Sequence, residues 1–332
     1  MVSIRNQPWN AECRLALLAL LLAACDFTAL SQTSPYVALV TALDGRVMIR
    51  KAAKTDFEKG VWGLQLHRGD QIKTSENSEV SLLFQNSNLI TLGPNSNLTI
   101  GDNALAGSQK PVKVASPELA SNLSLLTFRE SRNGEASALA GLRAGASETD
   151  ITLIAPRNSK IRSSQPSFEW MPQRPFESFT VTLLSDKGVL WTRKTPARRM
   201  DYPKDEPALE RGKALFWTVE GENLFERAKS LTIGFTVLSP EDAKSVAEQE
   251  QQLHQTVGAD KENSTLQFLL GAYYHQQGLL TEAIAQFRHI AEKNPAAPLP
   301  HEILGTLYAK IGLKDHAISE LQKAVTLSQE RQ

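Results

Sequence analysis

The chain has few of the residues from which catalytic and metal sites are usually built. Its 332 residues include 2 cysteines and 6 histidines, and no two histidines have the H-x-x-x-H spacing of a helical zinc site. The sequence contains neither the glycine-rich loops that bind nucleotides, G-x-G-x-x-G and G-x-x-x-x-G-K-[ST], nor the G-x-S-x-G motif of serine hydrolases. We therefore predict no catalytic residue, no metal site and no cofactor, and interpret the chain as a non-enzymatic protein.

An excess of charge of one sign is also missing. Lysine plus arginine and aspartate plus glutamate both number 36, so the formal net charge is zero. Nucleic-acid binding requires a basic surface that neutralises phosphates, so this balance argues against nucleic acid as a partner. It argues equally against strong electrostatic adhesion to anionic lipid. The hydrophobic content of 41% is ordinary for folded domains.

No apolar run in the sequence is long enough to cross a membrane. The longest covers residues 15–24, about ten residues, whereas a spanning helix needs roughly 20. Arg5 and Arg14 precede the run and small residues end it, which is the order of a secretory signal peptide. We predict a signal peptide over residues 1–24. A plain secretory signal without lipid and a buried helix are the alternatives.

The end of this run, Leu22-Ala23-Ala24-Cys25, resembles the lipobox of bacterial lipoproteins. The resemblance implies cleavage before Cys25 and attachment of diacylglycerol and fatty acid, such as palmitate, at that residue. Asp26 resembles the inner-membrane retention signal of enterobacterial lipoproteins, so the inner membrane is favoured and the outer membrane is the alternative. The predicted location is the bacterial cell envelope, with the lipid-anchored protein facing the periplasm. Cys13 would be removed, which leaves no thiol for a disulfide.

A short polar tether, residues 25–35, leads to a predicted β domain over residues 36–102. Residues 37–41 and 46–50, joined by Asp44-Gly45, predict a hairpin. The ordered pattern of this region resembles the FecR-like domain of bacterial envelope proteins. The matching features are Gly45, Val47, Trp62, Gly69, Asp70, Ile72, Thr74, residues 80–84 and residues 92–100. The resemblance covers about a fifth of the chain and implies an all-β fold of a family whose best-known members relay envelope signals. Trp62 and Phe84 are expected in the core, because large aromatic side chains dominate cores.

A second β domain is predicted over residues 151–239, after an Ala-, Ser- and Gly-rich linker over residues 103–150. A linker that includes a strand or short helix docked on a neighbour is the alternative. Short alternating segments separated by turn residues indicate a β-sandwich. The order P-x-F-x-W, FTVTL, VLW, FWTV resembles the fibronectin type III-like modules of bacterial envelope proteins. Trp170, Trp191 and Trp217 lie at the centres of the predicted strands, so we expect them in the core.

The C-terminal residues 240–331 predict an all-α domain with an internal repeat. Ser239 and Pro240 are typical of a helix start, and we predict a capping helix over residues 240–257. Gly271 and Gly305 are 34 residues apart, and six further pairs recur at the same offset: Leu270/Leu304, Tyr274/Tyr308, Gly278/Gly312, Leu279/Leu313, Ala283/Ala317 and Ile284/Ile318. Residues 264–297 and 298–331 therefore resemble two tetratricopeptide repeats, each a pair of antiparallel helices.

In the tetratricopeptide repeat family, inner-face positions of each first helix line a groove that binds a partner peptide. The matching positions in this chain are Thr265, Phe268, Ala272, His275, Glu302, Thr306 and Lys310. The alternative is that the chain's own neighbouring domain fills the groove, since both helices and extended segments dock on such surfaces.

These modules together predict a scaffold of the cell envelope. In the favoured interpretation a lipid-anchored, non-enzymatic protein binds other envelope proteins or peptides through the groove and the membrane through Cys25. Two alternatives are a sensor or ligand-binding lipoprotein that uses its FecR-like domain, and an accessory subunit of an envelope enzyme or export complex.

The lipid anchor gives the first testable prediction. Replacing Cys25→Ser should abolish lipid attachment and release the chain from membranes, because several acyl chains anchor firmly at about 0.8 kcal/mol for each buried methylene. Mass spectrometry of the mature N-terminus measures the modification. An unmodified Cys25, or cleavage at another residue, would contradict the prediction.

Overall fold

A computed structural model describes residues 36–86, 88–101, 150–258 and 263–330, together with the backbone of residues 112–113. The predicted signal peptide, Cys25, Asp26, the tether and most of the predicted linker lie outside the described residues. Within the described ranges, strands come first and helices follow, so the predicted order of β and α regions is confirmed.

The first β domain consists of two sheets that enclose a common apolar core. Its strands are β1 Ala38–Asp44, β2 Val47–Arg50, β3 Glu58–Lys59, β4 Gln65–Leu66, β5 Gln71–Thr74, β6 Glu79–Phe84, β7 Asn88–Leu92, β8 Asn97–Thr99 and β9 Val112–Lys113. One sheet has the order β4-β1-β6-β7-β9 and the other β3-β2-β5-β8. Phe84 is buried among the residues of this core, as predicted.

The predicted hairpin of residues 37–50 is wrong. β1 pairs with β4 and β6, whereas β2 pairs with β3 and β5, so the two strands belong to different sheets. Gly45 turns the chain with a φ of 70° and passes so close to Ser78 that a Cβ would lie 2.5 Å from Ser78 Oγ. The Arg46 amide donates to the same hydroxyl. The Asp44-Gly45 turn therefore moves the chain from one sheet to the other.

The sheet of the first domain continues beyond the predicted boundary at residue 102. In the register of β7 with β9, Asn88 lies opposite Lys113 and Leu89 opposite Val112. Residues 112–113 thus belong to the sheet and not to a linker.

The second β domain is a sandwich of two sheets. Its strands are β10 Ile151–Ala155, β11 Lys160–Ile161, β12 Phe168–Pro172, β13 Ser178–Ser185, β14 Gly188–Thr195, β15 Arg199–Met200, β16 Ala214–Glu222, β17 Arg227–Lys229 and β18 Ile233–Val237. The orders are β10-β12-β15 and β11-β18-β16-β13-β14, with β17 paired to β16. Phe168 lies edge-on to Trp191 and Trp217 at the centre. Trp170, Trp191 and Trp217 are all buried, so their predicted core role is confirmed.

Five helices follow: α1 Pro240–Val257, α2 Ser264–Gln277, α3 Leu280–Lys293, α4 Pro298–Ile311 and α5 Lys314–Gln329. The hydroxyl of Ser239 accepts a hydrogen bond from the Asp242 amide, which caps α1 at the predicted start.

Glycine determines the geometry of both helix pairs. A Cβ on Gly271 would lie 2.8 Å from Phe287 Cε2, and a Cβ on Gly305 would lie 2.5 Å from Leu321 Cγ. The sequence predicts that Gly271 and Gly305, which are 34 residues apart, occupy equivalent positions in the two repeat units. α2 with α3 and α4 with α5 can approach this closely only because the glycines have no side chain.

The sandwich donates hydrogen bonds to carbonyl groups at the C-terminal ends of α2 and α4, the first helix of each pair. The Lys160 amide donates to the Gly278 carbonyl at 2.8 Å, just beyond α2. Arg157 Nε donates to the Ile311 carbonyl at 2.7 Å and Asn158 Nδ2 to the same oxygen at 3.0 Å, at the end of α4. Helix ends leave carbonyl groups without partners in the helix and carry partial negative charge, so amide and guanidinium donors stabilise them.

A charged cluster joins the sandwich to α1, α2 and α3. Arg162 contacts Glu250 through both terminal nitrogens, the Tyr274 hydroxyl donates to Glu250 Oε1 at 2.6 Å, and Arg162 Nε lies 3.4 Å from Glu282 Oε1. Burial favours the neutral form of Glu250, but hydrogen bonds from Arg162 and Tyr274 outweigh burial and lower its pKa. Burial dominates at Glu282 and raises its pKa.

The raised pKa of Glu282 predicts a pH-dependent effect of Glu282→Gln. The folded protein holds the Glu282 proton more tightly than the unfolded chain, so the stabilising effect is present below the ordinary pKa of 4.5 and is lost as pH rises through the raised pKa. Glutamine cannot ionise, so the variant should match the parent in acid and be more stable at neutral pH. Urea unfolding across this pH range measures the difference, with the exposed Glu292→Gln on the same helix as control. A variant that is less stable than the parent at neutral pH would contradict the prediction.

Candidate partner-binding groove

The residues of the predicted groove lie on α2 and α4, and the structure divides them into two groups. Thr265, Phe268 and Ala272 are buried, with exposures of 1%, 0% and 0%. These three residues are the first group. The second group consists of the half-buried His275 and Glu302 and the exposed Thr306 and Lys310.

Thr265 and Phe268 of the first group lie beneath the first β domain, and Ala272 is buried in the same apolar cluster. The rings of Trp62 and Phe268 meet edge-on with centroids 5.6 Å apart. The Trp62 indole donates to the Thr41 carbonyl at 2.7 Å, and the hydroxyls of Thr41 and Thr265 are hydrogen-bonded at 2.9 Å. A partner cannot reach these positions, so their assignment to a partner-binding groove is wrong. At this end of the groove the first β domain of the same chain occupies the space, which is the alternative that the sequence left open.

The loop between β3 and β4 makes this contact because it contains glycine beside tryptophan. Gly63 has a φ of 76°, and a Cβ there would lie 2.8 Å from Leu299 Cβ in the first turn of α4. Trp62 meanwhile contacts Phe268 on α2. The loop therefore contacts the first helix of each pair. The ring of Trp62 packs against α2, and the backbone of Gly63 packs against α4. Trp62 is a core residue as predicted, but the core is one that it shares with the helices.

The second group forms a polar end of the groove that stays accessible. Lys310 Nζ lies 3.0 Å from His275 Nε2. Burial, and secondarily the charge of Lys310, lower the pKa of His275, so a neutral imidazole accepts from the ammonium group. Among the described residues, no carboxylate lies in ion-pair range of Lys310, whose charge is thus available to an anionic group of a ligand or partner.

The sandwich provides the opposite wall of this polar end. A cavity of about 490 Å³ is lined by His275 and Lys310 from the helices and by Phe216, Gly234 and Thr236 from β16 and β18. The ring of Phe216 lies over Gly234, where a Cβ would be 3.2 Å from Phe216 Cε1. The cavity therefore has a cationic side and an apolar side.

An apolar row extends from this cavity across the outer face of the sheet. Phe216 lies opposite Leu184 in the strand register, and Leu184 lies opposite Val189 on the edge strand β14. Cross-strand partners share one face of a sheet. Val189 is 61% exposed and Phe216 is 40% exposed. We call His275, Thr306, Lys310 and this row of Phe216, Leu184 and Val189 the open groove.

The sequence prediction did not include the sandwich side of the open groove. A signal was present, since Phe216 stands between the inward-facing Leu215 and Trp217 of β16 and is therefore an apolar residue at a solvent-facing position. Segment 157–160, which positions the sandwich against α2 and α4, shows no sequence pattern of comparable strength.

Two wider features of the described residues bear on the chemistry. They contain no group of three His, Cys, Asp or Glu side chains placed to hold a metal ion. None of the helices in the same ranges is both long and apolar enough to cross a membrane.

The contact between Trp62 and Phe268 predicts coupled effects on stability. Each alanine variant should cost about 3–5 kcal/mol of unfolding free energy, because it leaves a buried cavity. The double variant should cost about 1 kcal/mol less than the sum, because an edge-on aromatic pair contributes that much beyond its buried area. Urea unfolding of the four proteins measures this coupling. Phe84→Ala provides the control, since Phe84 lies in the inner core of the first β domain and its effect should add to that of Phe268→Ala. Additive effects of Trp62→Ala and Phe268→Ala would contradict the docked arrangement.

No protein-family model and no curated protein matches the chain. Among solved structures, one described as a cell surface anchoring domain is 18% identical, covers 23% of this chain and 99% of its own, and has a TM-score of 0.20. Dimeric latent PorU from Porphyromonas gingivalis is 9% identical over 63% of this chain and 17% of its own, with a TM-score of 0.23. A beta-1,2-glucanase from Parabacteroides distasonis is 11% identical over 55% of this chain and 34% of its own, with a TM-score of 0.22. Similarities this weak carry no argument about fold or function.

Proposed function

We propose that the chain is a non-enzymatic, lipid-anchored scaffold of the bacterial cell envelope that binds an envelope protein through the open groove. The observation that carries the proposal is the pairing of an accessible cation, Lys310, with an exposed apolar row that ends beside it. Exposed apolar residues next to polar groups mark interaction sites more often than plain surface. The resemblances to FecR-like, fibronectin type III-like and tetratricopeptide modules support the same interpretation.

The expected ligand is an extended segment of a partner that carries a carboxylate. Its carboxylate would pair with Lys310, and its apolar side chains would lie on Phe216 and Val189. His275 accepts from Lys310 and so orients the ammonium group toward the cavity. Because the buried half of the groove is filled by the first β domain, the partner would contact only the helix ends nearest the sandwich.

The role of the helical repeat is then different from that expected from sequence. Its N-terminal helix ends bind the first β domain, and its C-terminal helix ends bind the sandwich. It thus holds two β domains of its own chain in a fixed arrangement. The surface offered to a partner is composite, with helices on one side and a sheet on the other.

Site-specific photo-crosslinking in native membranes tests the proposal. A photoreactive residue at Thr306 should give a discrete adduct with one envelope protein, and the same residue at the exposed Gln322 on α5 should not. The Thr306 adduct should be lost on Lys310→Glu and on Phe216→Asp, which reverse the charge and remove the apolar contact.

Loss of the adduct must result from the lost contacts in the open groove and not from unfolding of the variants. Both variants should melt within a few degrees of the parent, because Lys310 is exposed and Phe216 lies on the outer face of its sheet, where it is 40% exposed. An adduct that persists in both variants, or that forms equally from Gln322, would show that the partner binds elsewhere.

A further inference from the structure

A second, larger cavity lies on another side of the joint between the sandwich and the helices. It has a volume of about 620 Å³, and its walls come from β10, β12, the start of β18 and the turn between α4 and α5. Ligand sites typically measure about 300–1,000 Å³, so it can enclose a small organic molecule. It shares only Asn158 with the cavity of the open groove.

The accessible apolar part of this cavity is its rim. Met171 and Leu231 form this rim and are 41% and 53% exposed. Ile151, Leu153 and Ile233 also border the cavity, but their side chains belong to the buried core of the sandwich. Apolar side chains as exposed as those of Met171 and Leu231 beside a concave surface are typical of a site that a ligand covers.

The deepest charged group in the wall is Arg157, which is only 8% exposed. Its guanidinium donates to three carbonyl oxygens, those of Leu153, Ile311 and Gly312, and no carboxylate of the described residues pairs with it. Burial without a carboxylate lowers the pKa of Arg157. A buried cation whose partners are all neutral leaves positive potential in the cavity.

The remaining charges around the cavity stand against charges of opposite sign. Asp150 is paired with Arg174, which also pairs with Glu226. Lys314 and Asp315 at the start of α5 have opposite signs. The N-terminal end of α5 carries no side-chain cap and contributes partial positive charge, and the ring of His316 lies against Tyr308. The C-terminal end of α4 offsets part of the charge of Arg157. The charged side chains of the lining thus balance in number, and Arg157 is the buried one that has no carboxylate partner among the described residues.

We propose that this cavity binds a small organic anion with an apolar body, such as an aromatic or short-chain carboxylate. The apolar body would lie between Met171 and Leu231, and the anionic group would lie near Arg157, Lys314 and the first amides of α5. Because the cavity has walls from both the sandwich and the helices, the bound anion would stabilise their joint. The proposal is independent of partner binding at the open groove.

Calorimetric titration of the mature chain, residues 25–332 produced without lipid, tests this site. The probes are 2-naphthoate and 2-naphthylmethylammonium, which share an apolar body and differ in charge. Naphthoate should bind with a stoichiometry of one and at least tenfold more tightly than the ammonium compound. It should also raise the melting temperature, because it binds the folded state alone.

Four variants locate the site. Leu231→Asp should abolish naphthoate binding, whereas Leu224→Asp, the same change at another exposed residue of the sandwich, should not affect it. Lys314→Gln should weaken binding about threefold and Asp315→Asn should strengthen it about threefold, since solvent-screened charges have small effects. A change in folding would not weaken naphthoate binding in one of these variants and strengthen it in the other. Failure of naphthoate to bind, equal binding of the two probes, or unchanged binding in Leu231→Asp would overturn the proposal.

Discussion

The arrangement of the chain depends on the burial of helix α2. Ten consecutive residues, Thr265–Tyr274, are buried, so the helix has no solvent-facing side over most of its length. A helix that is apolar all round must be enclosed on every side. Here α1, α3 and α4 cover part of it, the first β domain covers its N-terminal half, and the sandwich satisfies the carbonyl that follows its C-terminal end. Each β domain thus packs against the same helical layer.

This constraint explains which features could be predicted from sequence. The 34-residue offset, the paired glycines Gly271 and Gly305, and the capped start of α1 are local or periodic, and each has a direct physical cause in helix packing or helix ends. The tryptophans of the sandwich were also predictable, because strand-centred aromatic residues have few places other than a core. The contact between Trp62 and Phe268 has no such signal, since the two residues are far apart in sequence and the alternative of an open groove fits the same helical pattern.

Two local signals nevertheless pointed to the docking of the first β domain. The alternation of apolar and polar residues in β6 is broken at Leu83, and Leu83 belongs to the apolar cluster of the helices, together with Leu39 on the neighbouring strand. Apart from Gln267, the buried run of residues 266–274 has no polar amide or charged side chain, and it extends over every face of α2. A sheet that is apolar on both faces and a helix that is apolar all round each require a further partner. The hairpin prediction at Gly45 was wrong because a short turn signal does not specify whether the two strands that it joins pair in the same sheet.

The proposed functions follow from surfaces that exist only at the joints. The open groove combines Lys310 of α4 with Phe216 of the sandwich, and the larger cavity combines Arg157 and Leu231 of the sandwich with the α4–α5 turn. Neither surface would be present on a separated module. A scaffold of this kind would bind its ligands with a rigid, composite surface, and loss of the joint would remove both sites together.

The central claim, that the helical layer unites both β domains into one folding unit, is tested most directly by differential scanning calorimetry of residues 25–332. The arrangement predicts one cooperative transition whose calorimetric enthalpy equals its van't Hoff enthalpy. The first β domain cannot unfold without exposing the apolar surface of α2, and the sandwich cannot unfold without leaving the carbonyls at the ends of α2 and α4 without their donors. Two or more independent transitions, with the first β domain melting apart from the sandwich and the helices, would contradict it.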